Sequence, residues 1–227
     1  MKFNYYGHSC FSVTIKGKHL LFYPFVTYND LANNIVEVDK IPADYILVSH
    51  AHQDHIADCI RIATRTGAKV ICSWEISEWL VKQEIVNTHP MNTGGKWKFD
   101  EFSVKCVVAH HSSGLPDGSY GGNPLGFIIS SDEGNFYYAG DTALTLDMQL
   151  IPTWAKLNFA VLPIGDNFTM DATDAVKCCD MIGCKQVIGV HYDTFGYIKI
   201  DHKKAIQTFS DAGCNLQLVE IGKSITI

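Results

Sequence analysis

The sequence predicts an α/β protein in which β-sheets are layered and helices pack on their outer faces. Short β-like apolar runs recur along all 227 residues, punctuated by glycine, asparagine and aspartate. Amphipathic stretches at helical spacing lie between some of these runs. No low-complexity linker and no strong charge run divides the chain, so one domain spanning residues 1–227 is expected.

Taken in order, the strand-like runs are "FSVTI" (11–15), "HLLFY" (19–23), "YILVS" (45–49), "KVICS" (69–73), "FSVKCVV" (102–108), "GFIIS" (126–130), "NFYYA" (135–139), "FAVLPI" (159–164), "QVIGVH" (186–191) and "LQLVEI" (216–221). Each is rich in β-branched or aromatic residues, which suit a pleated, buried surface. "DHIADCIRIATRTG" (54–67) predicts a helix with Ile56, Cys59, Ile60 and Ala63 on one face and Gly67 as its stop. "ATDAVKCCDMIG" (172–183) and "DHKKAIQTFSDAG" (201–213) repeat that design.

Composition narrows the function classes. The formal net charge is −6 and no block of lysine and arginine appears, which argues against a dedicated nucleic-acid surface. No apolar run is long enough to cross a membrane, and "MKFNYYGHSC" has no signal-peptide core, so a cytoplasmic protein is expected. Eight cysteines lie mostly inside apolar segments without a C-x-x-C pair, which reads as buried reduced thiols.

The chemistry concentrates in "SHAHQDH". His50, His52, Asp54 and His55 fall within six residues, on the loop between a buried strand and a helix. α/β folds commonly place ligands at a strand's carboxyl end. Neutral imidazole and carboxylate are preferred ligands of zinc, iron and manganese. A lone aspartate there would read as a helix cap and a lone histidine as structural. The density of four in six favours a metal. One segment cannot close such a site, and "AHHSSG", "YAGDTAL" and "GVHYDTF" each follow an apolar strand and end in ligand-capable residues.

The stretches "YYGHSCF", "YPFVT", "DYILVSHAHQDH", "AHHSSG", "GNPLGFII", "YAGDTAL", "LPIGDNFTM" and "GVHYDTF" run in that order from Tyr5 to Phe195. They resemble the metallo-β-lactamase superfamily, whose signature is H-x-H-x-D-H. The closest resemblance is to its branch of small metal-dependent hydrolases related to the ascorbate-6-phosphate lactonases. That resemblance implies an αββα sandwich, two mixed sheets with helices on the outer faces, and a two-metal site at one edge. The first metal would take His50, His52 and a histidine of "AHHSSG". The second would take Asp54, His55 and His191, with Asp141 bridging both. His110 and His111 would point to opposite faces of a strand. The family pattern, with the ligand directly before the serine pair, selects His111.

Tyr23-Pro24 stands where the family usually has aspartate-proline, at an outer position beside the metal ligands. The resemblance therefore implies that Tyr23 alters metal affinity. His89, Asn167, Thr169 and Tyr192 are expected near substrate, and His8 in a structural or substrate-side role. The implied cofactors are two divalent ions, zinc or manganese first, then iron or nickel. The implied activity is attack by a metal-bound hydroxide on a small anionic ester, lactone or phosphodiester, with Asp54, His55 and Asp141 as catalytic residues. Two divalent ions outweigh Asp54, Asp141 and one hydroxide, so an acidic chain would carry a locally cationic pocket. The rival readings are a nuclease of the same fold, a redox diiron protein of this fold, disfavoured because His52 stands where those proteins carry glutamate, and a non-catalytic metal-binding protein. No nucleic-acid or membrane partner is expected, and a homo-oligomer is compatible with the sequence.

Overall fold

The computed structural model describes residues 1–227. Its first half builds β1 (Lys2–Gly7), β2 (Cys10–Ile15), β3 (Lys18–Phe22), β4 (Tyr45–Leu47), α1 (Gln53–Ile56), α2 (Cys59–Thr66), β5 (Lys69–Ser73), α3 (Trp74–Lys82) and β6 (Thr88–Met91). The second half adds β7 (Lys96–Lys98), β8 (Ser103–Val108), β9 (Leu125–Ser131), β10 (Gly134–Tyr138), α4 (Ile151–Trp154), β11 (Phe159–Pro163), α5 (Ala172–Ile182), β12 (Gln186–Val190), α6 (His202–Asp211), β13 (Asn215–Gln217) and β14 (Ser224–Thr226).

Two seven-stranded sheets result, ordered β14-β1-β2-β3-β4-β5-β6 and β13-β12-β11-β10-β9-β8-β7. Both are mixed. β3 to β6 run parallel, as do β10 to β13, and the remaining pairs are antiparallel. Side-chain alternation explains the layering. Phe11, Val13 and Ile15 of β2 meet Phe127 and Ile129 of β9 and Phe136 and Tyr138 of β10 in the core between the sheets. Leu21, Ile46 and Val70 face outward onto Ile62 of α2 and Ile76 of α3. Tyr137, Ala160 and Leu162 face outward on the other sheet, onto Ala175 and Cys178 of α5 and Phe209 of α6. Helices therefore cover both outer faces, which is the αββα sandwich. Strands buried on both faces read as continuous apolar runs, so the central ones were visible in sequence.

Three departures from expectation have local causes. The helix expected over 54–67 breaks at Asp58, whose φ and ψ are −98° and 3°. The buried Asp58 carboxylate accepts from the backbone N–H groups of Val26 (2.7 Å) and Thr27 (2.9 Å) and from the Thr27 hydroxyl, and so ties down the loop after β3. Ile62 takes the buried place expected of Ile60, which is only half-buried, while Gly67 closes α2 at φ 70°. α3 had not been expected; Ser73 caps it, its Oγ accepting from Ile76 N. "LQLVEI" is a strand only over Asn215–Gln217. The edge strands β6, β7 and β14, and β1 beside β14, lack the apolar runs that mark the centre. No helix is long and apolar enough to cross a membrane.

Candidate metal centre

One edge of the sandwich collects the segments that follow β1, β3, β4, β8, β10 and β12. They bring His8, Tyr23, His50, His111, Asp141 and His191 to one place, and α1 adds Asp54 and His55. The backbone there is unusual. His8 (φ 55°), Tyr23 (φ 51°) and His191 (φ 59°) all occupy the left-handed region. Non-glycine residues seldom do, and such strain clusters at functional sites. The His191 N–H donates to His8 O at 3.0 Å and joins the two sheets at this edge. Gly140, at φ 68°, precedes Asp141, and a Cβ there would crowd Leu125 O at 2.7 Å.

Asp141 is the hub. Its Oδ2 lies 3.0 Å from Nε2 of both His55 and His191, 3.8 Å from that of His111 and 3.9 Å from that of His50. On one side, His50, His52 and His111 present converging nitrogens, with His50 Nε2 3.1 Å from His52 Nδ1. On the other side, Asp54, His55, His191 and His8 converge. Asp54 Oδ2 lies 3.1 Å from His55 Nε2 and 3.0 Å from His8 Nε2.

The donor set fits a cation. Although His55 Nε2 approaches two carboxylates closely, neither approach has hydrogen-bond direction, and both of its ring nitrogens are buried without a partner. Asp141 Oδ1 and His191 Nδ1 are likewise unpartnered. Each such atom costs about 1–3 kcal/mol if left unsatisfied, a cost that coordination removes.

Charge states agree with that fit. Burial, reinforced by neighbouring imidazoles, pushes His50 well below the usual histidine value, and burial also lowers His52 and His111. These three are therefore neutral at neutral pH, the form in which an imidazole can bind a cation. Burial lowers His55 too, but the Asp141 and Asp54 carboxylates outweigh it and hold His55 at about 9. Burial and the nearby His191 bring His8 down to about 4. Burial would raise both aspartates, yet His55 for Asp54, and His191 with His55 for Asp141, hold their carboxyls far below the ordinary range.

A family model described as a β-lactamase superfamily domain matches residues 29–192. Over its whole length the chain is 49% identical to a protein of Flavobacterium johnsoniae and 50% identical to one of Christiangramia forsetii. Each match covers 100% of both chains, and both relatives are named UPF0173 metal-dependent hydrolase. The chain belongs to this family of the β-lactamase superfamily. Among solved structures, Igni18, described as a novel metallo hydrolase from the archaeon Ignicoccus hospitalis, superposes with a TM-score of 0.87 at 32% identity. That match covers 99% of this chain and 97% of that one.

Around this candidate cluster, the structure sorts the remaining residues. His111 joins the cluster, its ring centroid 4.9 Å from that of His50, while His110 is exposed. The Thr142 hydroxyl accepts from His110 N at 2.9 Å, which pins this segment to the Asp141 loop. Tyr23 is wholly buried; its hydroxyl hydrogen-bonds Ser49 Oγ, which lies 3.0 Å from His50 Nδ1. Ser113 Oγ accepts from Ala51 N (3.2 Å), and Ser112 Oγ lies 3.3 Å from His52 Nε2.

The residues expected near substrate are placed differently. A cavity of about 990 Å³ opens over the cluster, and none of the four lines it. His89 pairs within β6 and packs on Trp97 and Phe99, because its strand lies at the far edge of the sheet. Tyr192 turns into the core beneath α6. Asn167 and Thr169 flank Phe168, which does line the cavity. The residue that the reading of "YYGHSC" undervalued is His8. Its Nδ1 lies 3.0 Å from Thr194 Oγ1 and its Nε2 contacts Asp54, so it links a cavity loop to the cluster. The signal was a polar Gly-His-Ser at the carboxyl end of a strand.

Proposed function

We propose that the chain hydrolyses a small anionic ester, lactone or phosphodiester, with two divalent ions, zinc or manganese first, at this edge. The observation that carries the proposal is the position of Asp141 Oδ2, within 3.9 Å of four imidazole nitrogens drawn from both halves of the cluster. His50, His52 and His111 would hold one ion and Asp54, His55 and His191 the other, with Asp141 between them. Bound there, the ions would supply an acidified water and positive charge for the oxygen that gains charge in the transition state.

In the net reaction the water oxygen bonds to the carbonyl carbon or phosphorus, the bond to the leaving oxygen breaks, and a water proton ends on the leaving group. Asp54 lines the cavity, partly exposed. As the partly exposed carboxylate of the cluster, it carries that proton to the departing oxygen. His55 and Asp141 act as ligands that fix this geometry. With His52 holding an ion it would not serve as a base for Ser112, and Ser113 Oγ accepts from Ala51 N, so no serine nucleophile is invoked. No lysine or arginine lines the cavity, which supports a small substrate over a nucleic acid.

The test is metal analysis of protein purified without chelators, followed by a hydrolysis screen with zinc, manganese, nickel and iron. Two ions per chain and chelator-sensitive turnover are expected. Turnover that survives chelation would refute the proposal.

A further inference from the structure

The cavity wall above the ligand cluster is aromatic. Phe25, Tyr28, Phe168, Phe195 and Tyr197 line it, carried by the loops that follow β3, β11 and β12. Phe168 and Tyr197 meet edge to face, centroids 6.3 Å apart at 77°. Phe25 and Phe195 lie 6.4 Å apart, and both also lean on the His8 ring. Tyr28, Phe168 and Tyr197 are 63%, 48% and 79% exposed, and clustered exposed aromatics of this kind mark ligand sites. Asp166 and Asn167 at φ 62° and 52°, and Asp193 at φ 64°, hold the loops that present them. The cations able to meet a second anionic group are missing from this wall.

We propose that the substrate's reacting centre carries a flat aromatic or similarly apolar arm, seated against the exposed faces of Phe168 and Tyr197, rather than a phosphorylated sugar. The inference rests on the hydrolytic reading above. It follows from matching chemistry: a polyanionic arm would be desolvated against aromatic faces with no partner, whereas an aryl group gains both burial and stacking there. The cavity, about 990 Å³, is of the size that small-molecule sites use.

The experiment compares methyl phenylacetate with methyl acetate, whose reacting ester is the same, on the metal-loaded full chain. The aryl ester should be favoured at least about ten-fold in kcat/KM, mostly through KM. Phe168→Ala and Tyr197→Ala should each cut that preference by roughly 3- to 10-fold. Trp97→Ala, an exposed aromatic on β7 outside the cavity, should keep it. Equal rates for the two esters, or a preference that survives both cavity variants, would overturn the inference. If neither of these neutral esters is hydrolysed, the hydrolytic reading of anionic substrates is judged by its own metal and chelation screen. Calorimetric binding of phenylacetate against acetate to the metal-loaded chain then decides: tighter phenylacetate binding that Tyr197→Ala abolishes supports the arm site, and equal binding overturns it. Light scattering that shows a dimer dispersed by Tyr197→Ala would assign the aromatic wall to a second copy and also overturn it.

Discussion

Tyr23 supports His50 from behind: its ring centroid lies 5.8 Å from the imidazole, and its hydroxyl bonds the same Ser49 Oγ that His50 Nδ1 approaches at 3.0 Å. A relay of this kind fixes which nitrogen of His50 faces a cation. Ser49→Ala should lower metal affinity by about 10- to 100-fold, and Tyr23→Phe by less, because Ser49 still reaches His50. Tyr23→Asp is a different case. The tyrosine ring is fully buried against His55 (4.2 Å) and Tyr138 (5.1 Å), so a small acid would leave a cavity. Aspartate does suit the φ of 51° better than tyrosine does. On balance Tyr23→Asp should lose about 2–4 kcal/mol in denaturant unfolding. Chelator competition in the folded variants measures the affinities.

The choice between adjacent histidines is as sharp. His111→Ala should lose the ion held with His50 and His52, while His110→Ala should keep both ions, since His110 faces solvent. Elemental analysis after dialysis reads this directly. Equal losses in the two variants would contradict the assignment.

Much of this site was legible because strands announce their ends. An apolar run closing on "SH", "AHH", "AGD" or "GVH" locates a side chain at a carboxyl edge, and a two-sheet fold has few places to gather such edges. His8 was harder to read. Its strand β1 carries no continuous apolar run, and nothing local tells that the chain turns at φ 55° to aim the ring at Asp54. The aromatic wall was illegible for a related reason. Phe168, Phe195 and Tyr197 sit in loops whose meeting depends on β11 and β12 being neighbours. Asn167, Thr169 and Tyr192 drew attention through their polar groups, while the apolar neighbours took the positions facing the cavity. His89 misled because its loop-like surroundings hide an edge strand.

The metal-free chain should be most stable near pH 6.5. His8 has a folded value of about 4 against an ordinary 6.5, so the unfolded chain binds more protons between those values and stability falls as pH drops through that window. His55 is the opposite case, raised to about 9. Its contribution is complete below pH 6.5 and is lost as pH rises toward 9. His8 and His55 each contribute at most about 3 kcal/mol to their flanks, and the lowered His50, His52 and His111 add to the acid one. Urea unfolding in chelator across pH 4 to 9 checks the shape. His8→Gln should make the acid flank shallower, and an unaltered flank would mean that the other lowered histidines produce it.

All eight cysteines are free and buried. Burial pushes Cys10, Cys59, Cys106 and Cys178 up to about 12, and the thiolate is the reactive form. The folded chain should therefore resist a thiol reagent at pH 8 for many minutes, then titrate eight thiols in denaturant. Fast labelling of even one cysteine in the folded state would show that an outer layer opens, and mass mapping would say which.

Asp54→Asn separates the two duties assigned to Asp54. The amide keeps one oxygen for a cation but loses the charge, so the ion shared with His55 and His191 should bind more weakly while the one at His50 stays. The amide cannot accept and pass on a proton, so turnover should fall by about 10²–10⁴ even when metal is added back to full occupancy. The variant also reports on its neighbour. Asp54 is one of the two carboxylates that hold His55 at about 9, so proton release on metal uptake at pH 7 to 8 should shrink in Asp54→Asn. Paired titrations in buffers of different ionisation enthalpy measure that release. Full turnover at unaltered metal content would leave Asp54 a ligand only and move the proton transfer to another group on the cavity floor.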